Sequence, residues 1–169
     1  NTLNAWSHFA VTLTYTTNNT SVCKVYVDGV LQSTSGANMS YPTAANYTSN
    51  TIGNSSGTSM VGYLDDFNIY NGILSDADIS NLYNTGVSAV SVQPYLSYQF
   101  EQNITNTGTY LNGTLTGTAT YDSSVVKRGT YSLLLNSTSY VSVPTLYLNS
   151  FTNGITIAFW FYRKRKQQH

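Results

Sequence analysis

Phe9, Val11, Leu13 and Tyr15 alternate with Ala10, Thr12 and Thr14. Successive side chains leave a strand on opposite sides, so this period of two predicts a strand with one buried face. Val22 to Val27, Asp28-Gly29 and Val30-Leu31-Gln32 predict a hairpin, because Asp and Gly tolerate the positive φ of a type I′ turn. Residues 33–50, mostly Ser, Thr, Asn, Ala and Tyr, predict a long surface loop. A short strand near Thr51-Ile52 and a longer one from about Met60 to Tyr70 follow.

At 76–84 the period changes to that of a helix. Ser75 supplies an N-cap, Asp76 and Asp78 meet the positive end of the helix dipole, and Leu74 can staple onto Ile79. Ile79, Leu82 and Tyr83 share one face and Gly86 can end the helix, which needs a sheet or sandwich edge to lie on. Residues 87–94 predict a connector that becomes an edge strand before Pro94. Alternation then restarts at Leu96, Tyr98 and Phe100, continues through Tyr131, Leu133 and Leu135, and ends in Tyr140 to Val143 and Ile155 to Tyr162. About ten strands, one helix and turn chemistry between them imply a two-sheet sandwich.

Composition strengthens the all-β reading. The 169 residues suit one domain, and 24 Thr, 21 Ser, 18 Asn and 15 Tyr favour strands and turns. Charged residues make up only 8%, so helices laced with ion pairs are not expected. Net charge is zero, and four of the seven basic residues form the run Arg163 to Lys166. Residues 1–162 therefore carry three basic groups against seven acidic ones, a net of −4, which argues against a nucleic-acid partner. No apolar run approaches the roughly 18 residues of a membrane span, so no membrane insertion is expected.

The chain begins at Asn1 without methionine and reads as a piece of a longer precursor. Cys23 is the single cysteine, which excludes an internal disulfide and a thiolate metal cage. Its parity with Val25 and Val27 predicts a buried small hydrophobe. Asn-x-Ser/Thr triplets occur at Asn18, Asn19, Asn38, Asn46, Asn54, Asn103, Asn112 and Asn136, against about five by chance. That excess favours an extracellular, cell-surface or virion-surface setting.

Trp6-Ser7-His8-Phe9-Ala10-Val11-Thr12-Leu13, Val25-Tyr26-Val27-Asp28-Gly29, Ile52-Gly53-Asn54 and the run Gly62 to Tyr70 leading into Leu74 to Ile79 resemble a laminin-G-like jelly roll of the concanavalin A-like lectin/glucanase superfamily. They resemble the second half of such a domain. Tyr98-Gln99-Phe100-Glu101, Tyr131-Ser132-Leu133, Tyr140 to Val143 and Ile155 to Trp160 resemble the first half, so the two halves stand in reversed order. The resemblance implies a two-sheet antiparallel jelly-roll sandwich with one short helix. Residues 1–162 are expected to be one circularly permuted sandwich: 1–86 as the second half, 87–94 as connector, 95–162 as the first half. A basic tail, 163–169, follows. Isolated halves would expose apolar faces and open edges; exchange of halves between chains would instead propagate a fibre.

The glucanase branch needs two carboxylates about 5–5.5 Å or about 6.5–9.5 Å apart. Glu101 is the only glutamate, and Asp65 and Asp66 are neighbours on a predicted strand, where side chains point to opposite faces. Gly53-Asn54-Ser55-Ser56-Gly57 fits a nucleophile elbow in letters, but a strand follows it instead of a helix. His8 is expected at a strand edge. Asp65, on the parity of Phe67 and Ile69, is expected to be a half-buried structural carboxylate. The resemblance implies an alternative role for it in a calcium site with Asp66, Asn68 and Asp28. No cofactor is required, and Ca²⁺ is the one considered. Tyr41, Tyr47 and Tyr110, in Asn/Thr/Ser surroundings, are the expected glycan contacts.

These readings converge on a noncatalytic lectin-like recognition or adhesion module whose partner is a glycan or glycoprotein. The alternatives are a structural assembly domain that self-associates by half-domain exchange and, third, a glycoside hydrolase.

Overall fold

A computed structural model describes residues 4–16, 20–35, 39–40, 46–55, 58–86, 90, 92–108, 112–147 and 151–164. The strands are β1 (Trp6–Tyr15), β2 (Thr20–Val27), β3 (Val30–Thr34), β4 (Met39–Ser40), β5 (Asn46–Tyr47), β6 (Asn50–Ile52), β7 (Asn54–Ser55), β8 (Thr58–Ser59) and β9 (Gly62–Asn71). After helix α1 (Asp76–Thr85) come β10 (Pro94–Tyr98), β11 (Thr114–Thr116), β12 (Thr120–Asp122), β13 (Ser132–Leu135), β14 (Tyr140–Val143), β15 (Leu146–Tyr147) and β16 (Gly154–Arg163).

The main antiparallel sheet runs β12-β13-β9-β16-β1-β2-β3, with β10 also on β9 and β4 also on β2. β16 lies between β1 and β9, pairing Phe9 with Phe159 on one side and Ile69 with Ile157 on the other. Strands from both ends of the sequence therefore alternate within one sheet. The Phe159 ring stacks 5.7 Å from Phe9 and 5.8 Å from Phe67. A smaller sheet, β11-β14-β6, supplies the second layer. Ile52, Val141 and Val143 from it close over Leu64, Phe67, Ile69, Leu133 and Leu135. The expected two-sheet sandwich is thus unequal, because much of the second layer consists of short strands and loops. Within residues 33–50 the described parts include β4 and β5, and Pro94, instead of ending an edge strand, opens β10, where its missing N–H costs no ladder bond.

The hairpin turn has Asp28 at φ 51° and Gly29 at φ 78°, the left-handed pair a type I′ turn demands. Helix α1 starts as its sequence dictates. Ser75 Oγ accepts the Asp78 N–H at 3.1 Å, and Asp78 Oδ2 accepts the Ser75 N–H at 3.1 Å, a reciprocal capping box. Leu74, Ile79 and Leu82 then pack with Ala10, Tyr26, Tyr70 and Ala158, covering the face of the main sheet opposite the sandwich core. Thr156 of β16 fixes the approach to the helix. Its hydroxyl accepts from the Leu74 N–H at 3.0 Å and donates to the Gly72 carbonyl at 2.8 Å.

Two expectations need correction. Cys23 is only half-buried, since β2 lies next to the edge strand β3. His8 is 3% exposed; β16 pairs along β1, so His8 sits opposite Trp160 and not at an edge.

Candidate functional site

Where the carboxylates go is decided by a bulge in β9. Asn68 pairs with Ala158 and Asp65 with Trp160, so three steps along β9 face two along β16. Asp66 occupies the extra position at φ 48°, a left-handed conformation that Asp adopts more readily than most residues. Parity inverts across the bulge: Leu64 and Phe67 both reach the sandwich core, while Tyr70 packs under the helix. The expectation that Asp65 shares a face with Phe67 and Ile69 is therefore wrong. A bulge of this kind carries no signature in strand alternation.

Asp65 is fully buried. Its Oδ2 accepts the backbone N–H groups of Lys127 and Arg128 at 3.1 and 3.0 Å, and its Oδ1 accepts that of Asp66 at 3.0 Å. Burial pushes its carboxyl up to about 7, opposed by these N–H bonds, while the neighbouring Asp66 charge raises it further. Asp66 is pushed up to about 6, chiefly by burial; the Arg128 guanidinium lowers it and Glu101 raises it.

Arg128 ties the site together. Its Nε lies 3.2 Å from Asp66 Oδ2, and its terminal NH2 donates to the carbonyls of Leu82 and Tyr83 at 3.2 and 3.1 Å. A cation here satisfies the carboxyl end of α1, whose last turn has no basic residue of its own. Opposite it, both Glu101 oxygens accept the Thr130 N–H at 3.0 Å. A Cβ at Gly129, which stands at φ +67°, would collide with the Glu101 carboxylate.

Between these groups opens a cleft of about 310 Å³, bounded by Asp66, by Thr85 and Gly86 at the end of α1, and by Gln99, Glu101, Arg128 and Gly129. Below it, sharing Asp66 and Gly86, is an inner void of about 10 Å³ walled by His8, Asn68, Leu82, Ala158 and Trp160. Trp160 is held on all sides: Tyr83 stacks at 5.5 Å, His8 tilts against it at 5.1 Å and Lys127 Nζ sits 4.0 Å over its ring. Burial pushes His8 down to about 4; the Asp28 charge opposes this, and Arg128 and Lys127 add to it. Five non-glycine residues with positive φ occur among the described residues. One of them, Asp66, lines the cleft, and two more, Phe100 and Gln102, flank the lining residue Glu101 in sequence. Backbone strain of this kind gathers at sites of recognition.

The expected site residues are only partly brought together. Asp65, Asp66 and Asn68 meet at the bulge, while Asp28 lies at the hairpin and its Oδ1 accepts the His8 N–H at 2.8 Å. These residues do not fit a calcium ion: Asp65 is saturated by N–H donors, and Asp66 faces a guanidinium. Among the described residues no group of three or more His, Cys, Asp or Glu could hold a metal. Tyr41 and Tyr110 fall outside the described residues, as does the side chain of Tyr47, whose backbone pairs with Leu146 in β5. Sequence reasoning missed Gln99, Arg128 and Gly129 altogether and treated Glu101 only as too few glutamates for a glucanase. A usable signal existed, since Lys127 and Arg128 are two of the three basic residues outside the tail.

Residues 1–80 match a laminin-G family model described as the Concanavalin A-like lectin/glucanases superfamily. That stretch is similar to the superfamily, and the fold, mostly antiparallel β-sheet with one short helix, is consistent with a β-sandwich of the concanavalin A-like type. No curated protein and no solved structure matches the chain. The match supports, in general terms, a lectin-like or adhesion module; laminin-G-like domains are generally noncatalytic, although the superfamily includes some glycoside hydrolases. Among the described residues no helix is long and apolar enough to cross a membrane.

Proposed function

We propose that this is a noncatalytic recognition module of a secreted, cell-surface or virion-surface protein, and that it binds a glycan or glycoprotein in the cleft between the end of α1 and the Glu101 and Arg128 loops. One observation carries this reading: the cleft sets a guanidinium, two carboxylates and the exposed amide of Gln99 around a space of about 310 Å³. Donors and acceptors mixed at short range suit the hydroxyl groups of a sugar, and the volume lies in the range of small-molecule sites. The engagement of Asp65 by three N–H groups and of Asp66 by Arg128 favours binding over acid-base hydrolysis.

A glycan array with and without Ca²⁺ tests it. Binding should occur, be insensitive to Ca²⁺ and weaken in Gln99→Ala, a change at an exposed side chain. Absence of binding to every glycan would contradict the reading. Sugar release that disappears in Asp65→Asn would favour the hydrolase alternative.

A second reading, self-association, is favoured by β3. This strand of Val30, Leu31, Gln32, Ser33 and Thr34 is exposed throughout, lies at the sheet edge and carries no charge. Edges of that kind pair readily with another chain. Concentration-dependent growth in light scattering, abolished by Leu31→Lys, would support it.

A further inference from the structure

We propose that the inner void below the cleft is a hydroxyl-specific subsite: it takes a single hydroxyl of a saccharide seated above, bonded to Asn68 Oδ1 and His8 Nδ1. The inference rests on the cleft being a saccharide site and names what that site selects.

Both side chains are almost wholly buried, His8 at 3% and Asn68 at 2% exposure. Both also carry a buried polar atom with no hydrogen-bond partner, His8 Nδ1 and Asn68 Oδ1. Natural interiors rarely leave such atoms unpaired, because each forfeits its hydration without compensation. The Asn68 amide is oriented by its own neighbour: Nδ2 donates to the Asp66 carbonyl at 2.8 Å, which leaves Oδ1 as an acceptor. Two unpaired atoms on residues that share the wall of one void define a place for a group that bonds to both.

Size and charge select that group. About 10 Å³ admits one oxygen atom and excludes a carboxylate, a phosphate or a ring. A cation is opposed by Arg128 beside Asp66 and by Lys127 over Trp160. An anion is opposed by the carboxylates of Asp65 and Asp66. A neutral hydroxyl oxygen remains, and it donates and accepts through the same atom: its O–H serves Asn68 Oδ1 while its lone pair accepts from a His8 Nδ1–H. Burial keeps His8 neutral at physiological pH, so its ring can adopt the tautomer this requires. Cleft and void share Asp66 and Gly86, where the Arg128 guanidinium packs against the open side of the glycine. A water molecule suits the same place, and a ligand hydroxyl would replace it with like bonds.

The test uses the unmodified chain and ¹H–¹⁵N NMR, with the methyl glycosides of glucose, galactose and mannose and the monodeoxy analogues of each. Backbone amides of Gly86, Arg128 and Gly129 report the cleft, and the His8 ring nitrogens report the void. For a hexoside that binds, one deoxy analogue should lose affinity by about tenfold or more while the others keep it. The His8 ring signal should move with the parent sugar and not with that analogue. Equal affinity across all analogues with an unmoved His8 ring would overturn the subsite and leave the cleft reading standing. If no hexoside shifts any cleft amide, both fall together. Asn68→Ser should reproduce the deoxy effect, weakening the parent sugar but not the discriminating analogue.

Discussion

The guanidinium Nε of Arg128 lies 3.2 Å from the carboxylate of Asp66, both largely shielded from solvent. The first residue lies in the loop before β13, the second in the bulge of β9, and the same guanidinium reaches two carbonyls at the end of α1. A lysine cannot reproduce that fork. Arg128→Lys should therefore destabilise the chain, by about 1–3 kcal/mol, and Arg128→Met by more, since it leaves the Asp66 charge buried and unpaired. Urea unfolding monitored by fluorescence checks this; a midpoint equal to the parent's in both variants would show that the pair does not hold the loop.

Stability should fall as pH rises from 5 to 8. Asp65 and Asp66 have folded values of about 7 and about 6, above the ordinary 3.8. They bind more protons when folded, and their contribution is full below the unfolded value and lost as pH rises through the folded ones. His8 acts oppositely: at about 4 against 6.5, its contribution is present above 6.5 and lost as pH falls through 4. Two groups oppose one between pH 5 and 6.5, and above that Asp65 still titrates alone. Urea midpoints across this range should decline for the parent and flatten in Asp65→Asn. A steady increase with pH would contradict the burial assigned to these carboxyls.

Gly129→Ala should destabilise by about 1–3 kcal/mol, because φ +67° disfavours any side chain and the new Cβ meets Glu101. Amide signals of Thr130 and Glu101 should shift while those of β1 and β2 stay in place. A change spread evenly over the sheet would mean that the loop is not locally braced.

Ser75→Ala removes one half of the capping box and should cost about 1 kcal/mol. Because the Asp78 carboxylate also accepts the Ser75 N–H, Asp78→Ala should cost a similar amount. The double variant should cost less than the sum of the two, measured as a cycle of urea midpoints.

Residues whose local chemistry determines their conformation were legible from sequence. Ser75 and Asp78 cap a helix through bonds three residues apart, Asp28-Gly29 favours its turn whatever surrounds it, and Phe9 to Tyr15 shows its alternation openly. The site was not legible because it depends on contacts between distant residues. Glu101 and Gly129 meet only through folding, as do Asp65 and Lys127, 62 positions apart. The bulge at Asp66 adds one residue to a strand whose hydrophobic pattern still looks continuous, and so reverses which side chains share a face. His8 looked like an edge residue because nothing in residues 1–15 reveals that β16 pairs along them.

Strands from both ends of the sequence form one sheet within a single chain, with β16 between β1 and β9. Nuclear Overhauser contacts from the Phe159 ring test it most directly, recorded on a monomeric sample and on a mixture of labelled and unlabelled chains. Contacts to both Phe9 and Phe67 should appear within one chain and be absent between labelled and unlabelled chains. Contacts seen only between chains, or to neither ring, would rule out this strand order within one chain.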